Sequence, residues 1–364
     1  MKILRNYILN EFVSLLILSV LLLTFVMLLG NLIKITDLVI NKGVDIFSVG
    51  KLFIYMIPDL FVYTLPISVL SALMLSLGRL SHDNEIVAIR SSGINLIRII
   101  FPLFTMGVIL SLLLVIFNTR TIPYVHYARR KALIEVGVRS PQAALEPGVF
   151  ITSFEKYILF IYEIKENKLY NIRIYEPNEN GATRTIVAKR GEFISDPVKK
   201  AVRLKLIDGA ADEPDPNNPK NFYKLHFKTN FLTLNLGEKA KREEIEKKPK
   251  DMTLEELSKE TQKMKSQGID IAPLLTEAAK RISLAFSCVI FIIIGCPLAI
   301  ITKRRERSIN FAIAFLIAGV YYLLLLGSEA LSLQGNINPQ LAMWLPNIIL
   351  GSIGIILTLK LCAY

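Results

Sequence analysis

Ionisable side chains set inside or at the ends of long apolar stretches are where this sequence could do chemistry. A charge in hydrocarbon is costly and persists only with a partner or a task. Asp59 lies about two helical turns inside the run Leu52–Gly78, Lys34 follows the run Phe12–Ile33, and Glu329 closes Ser308–Ser328. Glu277, Lys280 and Arg281 open the stretch that continues as Ile282–Thr302. Glu277 and Arg281 stand at i,i+4, which is the spacing of a mutual helical ion pair. Lys34 can snorkel to lipid headgroups or meet an anionic substrate. Asp59 and Glu329 can pair with these cations or line a polar cavity. No ladder of ionisable residues runs along the apolar stretches, which argues against a proton-coupled carrier.

A second constellation is Gly78–Gly93, which reads GRLSHDNEIVAIRSSG. Asp83 and Glu85 stand near a helix start, Arg90 near its end, and Gly93 at the position after the cap. That placement complements the helix dipole. Leu80 and Val87 are expected to share one face. The plain reading is a surface helix with good local electrostatics. The sharper one is a docking helix, with Arg79, Asp83, Glu85 and Arg90 as its contacts.

Catalytic signatures are missing. The chain contains no G-x-x-x-x-G-K-[ST], no H-E-x-x-H and no G-x-S-x-G, and His82, His126 and His226 fall in different segments. Cys288, Cys296 and Cys362 all fall in apolar stretches and read as small apolar residues, without disulfide or metal spacing. The net charge of +12 comes with no basic stripe interleaved with stacking aromatics, so nucleic acid is not the expected partner.

The elements that hold these residues follow from hydropathy. Hydrophobic residues make up 52% of the 364 and charged residues still reach 20%, because the two are segregated. Charge-free runs at Phe12–Ile33, Ile99–Thr119, Ile282–Thr302 and Ser308–Ser328, the run Leu52–Gly78, and about twenty residues from Leu341 each match a bilayer core. Six spans are expected. The first is too long for a signal-peptide core and no A-x-A-like site follows it, so it is expected to stay. Lys2, Arg5, Arg79, Arg90, Arg98, Lys303, Arg304, Arg305, Arg307 and Lys360 flank one side of the spans. Only Lys34, Lys42 and Lys51 flank the other in short loops. Both termini are therefore expected in the cytoplasm, with the charged region 120–272 outside it.

That region turns strand-like after Gly148. Tyr157–Ile164, Leu169–Tyr175, Thr185–Ile194, Val202–Ile207 and Phe222–Leu236 are rich in β-branched and aromatic residues and separated by turn signals. An all-β sandwich or jelly roll is expected, either a simple packing domain or a curved sheet whose apolar interior accepts acyl chains. Lys239–Lys250 is a charged linker. Thr253 with Glu256 forms a capping-box pattern, which starts a short amphipathic helix through Leu254, Leu257, Thr261 and Met264 that stops at Gly268.

Taken together, the chain resembles the LptF/LptG (YjgP/YjgQ) permeases of lipopolysaccharide export. The resemblance rests on Gly78–Gly93, Met252–Leu257, Arg281-Ile-Ser through Pro297-Leu-Ala, Tyr321–Ala330 and Trp344-Leu-Pro-Asn347. Glu277–Arg281 and Arg120–Ala132 are more like the LptF branch. The resemblance implies an α-helical membrane protein with six transmembrane helices and an all-β periplasmic domain, β-jelly-roll-like, inserted between helices 3 and 4. Its parts would be 1–119 with a coupling helix at about 79–92, 120–250 as the β domain, 251–272 as a linker helix, and 273–364. It implies an inner-membrane subunit of an ATP-binding cassette transporter, not itself an enzyme and binding no cofactor directly. ATP would be used by a separate LptB-like ATPase dimer that grips the coupling helix at Glu85. An LptG-like permease would be the second half, with helices 1 and 5 as lateral gates. An LptC-like bridge protein would receive the lipopolysaccharide, and Lys34 falls where such chains carry a basic residue near the substrate phosphates. Lys34, Asp59, Lys280, Arg281 and Glu329 are thus the expected lipid or gate residues. A permease for another lipid or lipoprotein, and a non-transporting scaffold, share the same architecture.

Overall fold

The computed structural model describes residues 2–40, 44–139, 150–154, 157–165, 168–177, 183–196, 201–214, 222–235, 247–302, 307–335 and 337–363. Lys42, Lys303, Arg304, Arg305 and 239–246 of the charged linker lie outside the described residues, as do the side chains of Lys34 and Cys362. The chain divides into two units. One holds residues 1–32, 54–127 and 247–364, and the other holds 33–53 and 128–246.

The first unit carries the spans. In chain order the helices are α1 (Lys2–Ile40), α2 (Ile46–His82), the short α3 (Glu85–Ser91) and α4 (Leu96–Ile116). After α4, Phe117–Thr121 winds as a π-helix and leads into α5 (Ile122–Arg139). Then follow α6 (Leu254–Ser266), α7 (Ala272–Thr302), α8 (Arg307–Leu333) and α9 (Pro339–Ala363). Six rods are long and apolar enough to cross a membrane: α1, α2, α4 running into α5, α7, α8 and α9. They coincide with the six expected runs. Pro58, Pro66, Pro102, Pro297 and Pro346 sit inside them, which is tolerated where neighbouring helices take up the freed carbonyls.

α7 is the central rod, with Ala285, Cys288, Phe291, Ile292 and Ala299 fully buried. Small residues bring its neighbours close. A Cβ built on Gly354 of α9 would sit 2.8 Å from the Ile294 backbone. Polar side chains then stitch the packed faces. Asn347 Nδ2 donates to both the carbonyl and Oγ of Ser283 at 2.9 Å, and Ser283 Oγ donates to the Met343 carbonyl. Phe286 and Trp344 meet with ring centroids 5.4 Å apart. The Arg281-Ile-Ser283 and Trp344–Asn347 segments, 64 residues apart in sequence at the Asn347–Ser283 bonds, are thus one joint between α7 and α9.

α6 begins as its sequence dictates. Thr253 Oγ1 accepts from Glu256 N at 3.3 Å, and Glu256 Oε2 accepts from Thr253 N at 2.9 Å. Gly268 with φ +69° follows its end. Lys247 Nζ reaches Glu256 Oε1 at 2.5 Å. That contact first, and the Thr253 amide second, hold the Glu256 carboxyl below its ordinary range. A depressed carboxylate stabilises the fold above its unfolded pKa and loses that effect as pH falls through the folded value. Thr253→Ala is expected to cost the helix start about 1 kcal/mol. Glu256→Gln should flatten the acid-side loss of protection. Amide exchange across residues 253–258 as a function of pH reads both, and equal protection in all three proteins at neutral pH would sink this account.

The second unit carries one six-stranded antiparallel sheet in the order β1-β2-β3-β4-β5-β6. Its strands are β1 (Phe150–Phe154), β2 (Tyr157–Lys165), β3 (Lys168–Glu176), β4 (Arg184–Asp196), β5 (Ala201–Pro214) and β6 (Phe222–Asn235). The all-β insert between helices 3 and 4 is borne out, and its described strands form a consecutive meander. β5 runs seven residues past the expected end at Ile207, for a reason visible in the burial pattern. On β3 the buried residues are Leu169, Ile172 and Ile174; on β5 they are Leu204, Leu206 and Ala211. The alternation of two is broken by odd steps between 169 and 172 and between 206 and 211. At those breaks Asn171 and Asp208 adopt φ of +52° and +54°, a region Asn and Asp tolerate better than other side-chain-bearing residues. The paired registers of β2–β3, β3–β4, β4–β5 and β5–β6 all skip the row holding Tyr162, Asn171, Lys189, Asp208 and Lys228. The inward set therefore changes phase along one line across the sheet. Leu159, Ile161, Ile172, Ile174, Ile186, Leu204 and Leu206 are fully buried in one core.

Candidate functional site

The segment expected as a helix over 79–92 is two pieces. α2 continues through Arg79 to His82, Asp83 and Asn84 turn with Asn84 at φ +57°, and α3 occupies only Glu85–Ser91 before Gly93 at φ +80°. The break corrects one expectation. Leu80 is fully buried at the end of α2, but Val87 is 45% exposed, and Ile86 is the residue of α3 that packs inward. A continuous helix would put 80 and 87 in line; a turn between them rotates the face by about one residue. α3 leaves Val87, Ala88, Arg90 and Ser91 outward.

The base of α3 is tied to α1. Tyr7 Oη donates to Glu85 Oε2 at 3.1 Å and lies 3.3 Å from Oε1. Arg79 Nη2 donates to Tyr7 Oη at 2.8 Å and to Glu11 Oε2 at 2.5 Å, while Arg79 Nε stands 2.5 Å from Glu11 Oε1. The order Glu85–Tyr7–Arg79–Glu11 joins α3, α1 and α2 at one end of the spans. Ser81 Oγ adds a bond to the Ile300 carbonyl at the end of α7, 2.9 Å long. Asp83 pairs with His82 beside it at 3.0 Å. The sequence singled out Arg79 and Glu85 but not Tyr7 or Glu11, which sit in a first helix with no local sign of pairing.

Directly above this cluster, a groove of about 890 Å³ opens between α1, α2 and α8. Leu15, Leu18, Leu22, Leu75 and Phe311 give it apolar walls, and Glu11 and Arg79 close its end. α1 and α8 also turn large apolar side chains outward, among them Leu18, Leu21 and Phe25 on one and Leu316 and Leu323 on the other.

The other end of the spans collects the remaining charges. Lys280 Nζ meets Glu329 Oε2 at 2.6 Å, joining α7 to α8. Asp59 Oδ1 meets His126 Nε2 at 2.9 Å, joining α2 to α5. Tyr63 lies near enough to Lys280, Asp59, Glu277 and Glu329 to feel their charges. Arg281 forms the expected pair with Glu277 at 3.0 Å, and it does more. Nη1 donates to the Met252 carbonyl at 2.6 Å, and Nη2 to those of Pro249 and Lys250 at 2.9 and 3.0 Å. Its own carbonyl accepts from Asn118 Nδ2, in the π-helical turn, at 3.2 Å. Such single-turn π segments recur at functional sites. Backbone Lys34 lies on α1, outside this unit.

Six candidate spans, an apolar groove among three of them and a short helix pinned at their end describe a polytopic membrane protein. Among the described residues no three His, Cys, Asp or Glu side chains converge on a metal. The family model for the lipopolysaccharide export system permease LptF/LptG matches residues 6–360, and the chain belongs to that family. It is therefore a lipopolysaccharide export permease and a multi-pass inner-membrane protein. Comparison with individually curated proteins gives no match.

Proposed function

We propose that this chain is one half of the membrane part of an ATP-driven exporter. In this reading it takes lipopolysaccharide from the outer leaflet of the inner membrane and passes it to a periplasmic bridge. The observation that carries the reading is α3, a seven-residue helix with an outward face whose base is held by Tyr7 and, through it, Arg79. A short helix in a short loop gains nothing from such anchoring unless something pulls on it. An LptB-like ATPase dimer would grip α3, with both termini cytoplasmic and the β domain periplasmic. An LptG-like permease would face α1 and α8, and an LptC-like protein would receive the lipid. Removing a lipid from a bilayer exposes methylenes at roughly 0.8 kcal/mol each. An external energy source is therefore required, and it would be the ATPase, with no cofactor on this chain. The groove between α1, α2 and α8 would shelter acyl chains. At the other end of the spans the Asp59–His126 and Lys280–Glu329 contacts would hold the helices together. Lys34 would meet the substrate phosphates, as the resemblance implies.

The test is purification from native membranes. An ATPase subunit and a second permease are expected to come down with the chain, and mass spectrometry should find lipopolysaccharide bound. Purification without any ATPase, together with normal surface lipopolysaccharide after depletion, would leave a scaffold. Bound phospholipid or lipoprotein in place of lipopolysaccharide would redirect the substrate.

A further inference from the structure

The sheet carries a cleft that the transport reading above does not use. It has a volume of about 960 Å³ and crosses β2 to β6 at the row where the registers skip. This volume falls within the range of small-ligand sites. Its floor is low because the residues there are small: Ala188, Gly209 and Ala210. A Cβ on Gly209 would lie 2.4 Å from the Phe227 ring and 2.5 Å from the Val187 carbonyl, so only glycine fits without a shift.

The rim is cationic. Arg173, Lys189, Lys224 and Lys228 line it, against the carboxylates of Asp208 and Asp212. Among the described residues none of these four cations makes an ion pair. The four cations outnumber the two carboxylates, of which Asp212 stands opposite Lys224 in the register, and the surplus gives the concavity a net positive potential. An aromatic face completes the wall. Tyr162 is half exposed, its ring is 4.9 Å from that of Phe160, and Arg173 Cζ stands 5.5 Å from its centroid. A guanidinium fixed beside an exposed ring presents a planar fork of donors next to an apolar plate. The fork suits a phosphate and the plate suits the C–H face of a sugar ring. Its apolar lining is limited to Tyr162, Val187, Phe227 and small residues, while the large aliphatic side chains of the same strands, Ile172, Ile174, Leu204 and Leu206, are already packed in the core, so a phosphorylated sugar suits it better than an acyl chain.

We propose that this cleft binds a phosphorylated saccharide, which, resting on the lipopolysaccharide-export reading, is the polar part of the cargo. The lipid end and the sugar end then each have a binding surface of their own, one in each unit. The probe is a deacylated lipopolysaccharide oligosaccharide that keeps its phosphates. Its binding is measured on the full chain in lipid nanodiscs, beside the dephosphorylated oligosaccharide and inorganic phosphate. The intact chain is expected to bind the phosphorylated oligosaccharide best, and less well as salt rises. Lys189→Glu combined with Lys228→Glu should weaken that binding by about tenfold or more. Tyr162→Ala should weaken the oligosaccharide but not inorganic phosphate. All three positions are exposed, so the fold is expected to survive, and a second variant, Lys224→Glu, checks the charge effect at another strand. Equal binding in all variants, equal binding of the dephosphorylated probe, or inorganic phosphate binding as tightly as the glycan would each overturn the proposal. So would capture of an acidic periplasmic protein with no oligosaccharide bound. Retention of intact lipopolysaccharide without binding of the deacylated probe defeats the cleft alone. Binding of the probe by a chain that brings down no ATPase defeats the export reading alone.

Discussion

Arg281→Met should cost the membrane unit on the order of 3–5 kcal/mol, the range found when one member of a buried ion pair is removed. The side chain is only 5% exposed, and its donors meet four acceptors: Glu277 and the carbonyls of Pro249, Lys250 and Met252. Methionine fills similar volume but leaves a largely buried carboxylate and three carbonyls without their donor. Arg281→Lys should recover only part of the loss, because an ammonium radiates its three donors from a single atom, whereas Nε, Nη1 and Nη2 reach in different directions. Adding Glu277→Gln to Arg281→Met should recover another part by removing the orphaned charge. The thermal half-life of the detergent-purified chain reads these effects as unfolding rates. A wild-type half-life for Arg281→Met would show that the cluster does not hold the segment before α6 to α7. It would also return Arg281 to the lipid-contact role its sequence position suggests.

The difference between those two roles marks what the sequence could carry. Hydropathy located six spans because length and apolarity are properties of contiguous residues. The Thr253–Glu256 box and the Glu277–Arg281 pair were legible for the same reason, since both partners lie within one turn. The three carbonyls that Arg281 binds lie 29 to 32 residues away and carry no side-chain signature at all. Asp59 announced that it needed a partner, yet nothing in its neighbourhood pointed to His126. In the β unit the strands were visible, but the template of period two ended β5 at Ile207. The structure keeps the strand going by placing Asp208 in the left-handed region and moving the inward set by one residue. That device involves a whole row of neighbouring strands, and it reads from one strand as a loss of pattern. The cleft proposed for a phosphorylated saccharide sits on that row, so a feature that the sequence pattern hides shapes a surface with a net positive lining.

Tyr7→Phe should leave an ATPase bound and yet lower ATP-driven lipid release by about tenfold, within the 5- to 150-fold span of typical coupling energies. The hydroxyl is one atom of α1 that both Arg79 on α2 and Glu85 on α3 bond, Arg79 also reaching α1 at Glu11. Phenylalanine keeps the ring and its packing but severs that link, so a pull on α3 would no longer be felt at α1, one wall of the apolar groove. Arg79→Met should uncouple more strongly, since it also strips the Glu11 carboxylate, 15% exposed, of both its contacts. Glu85→Lys differs in kind. It reverses the charge at the first residue of α3, where a carboxylate suits the helix dipole, and it is expected to lose the ATPase itself. Reconstituted complexes separate these outcomes, because association, ATP hydrolysis and lipid release are measured apart. Full lipid release by Tyr7→Phe would mean that α3 drives the spans by another route, through Ile86 in the core or the Ser81 bond to α7. Unchanged association in Glu85→Lys would move the docking contact to the outward residues Val87, Ala88 and Arg90. The chain from partner to groove would then begin on the opposite face of the same helix.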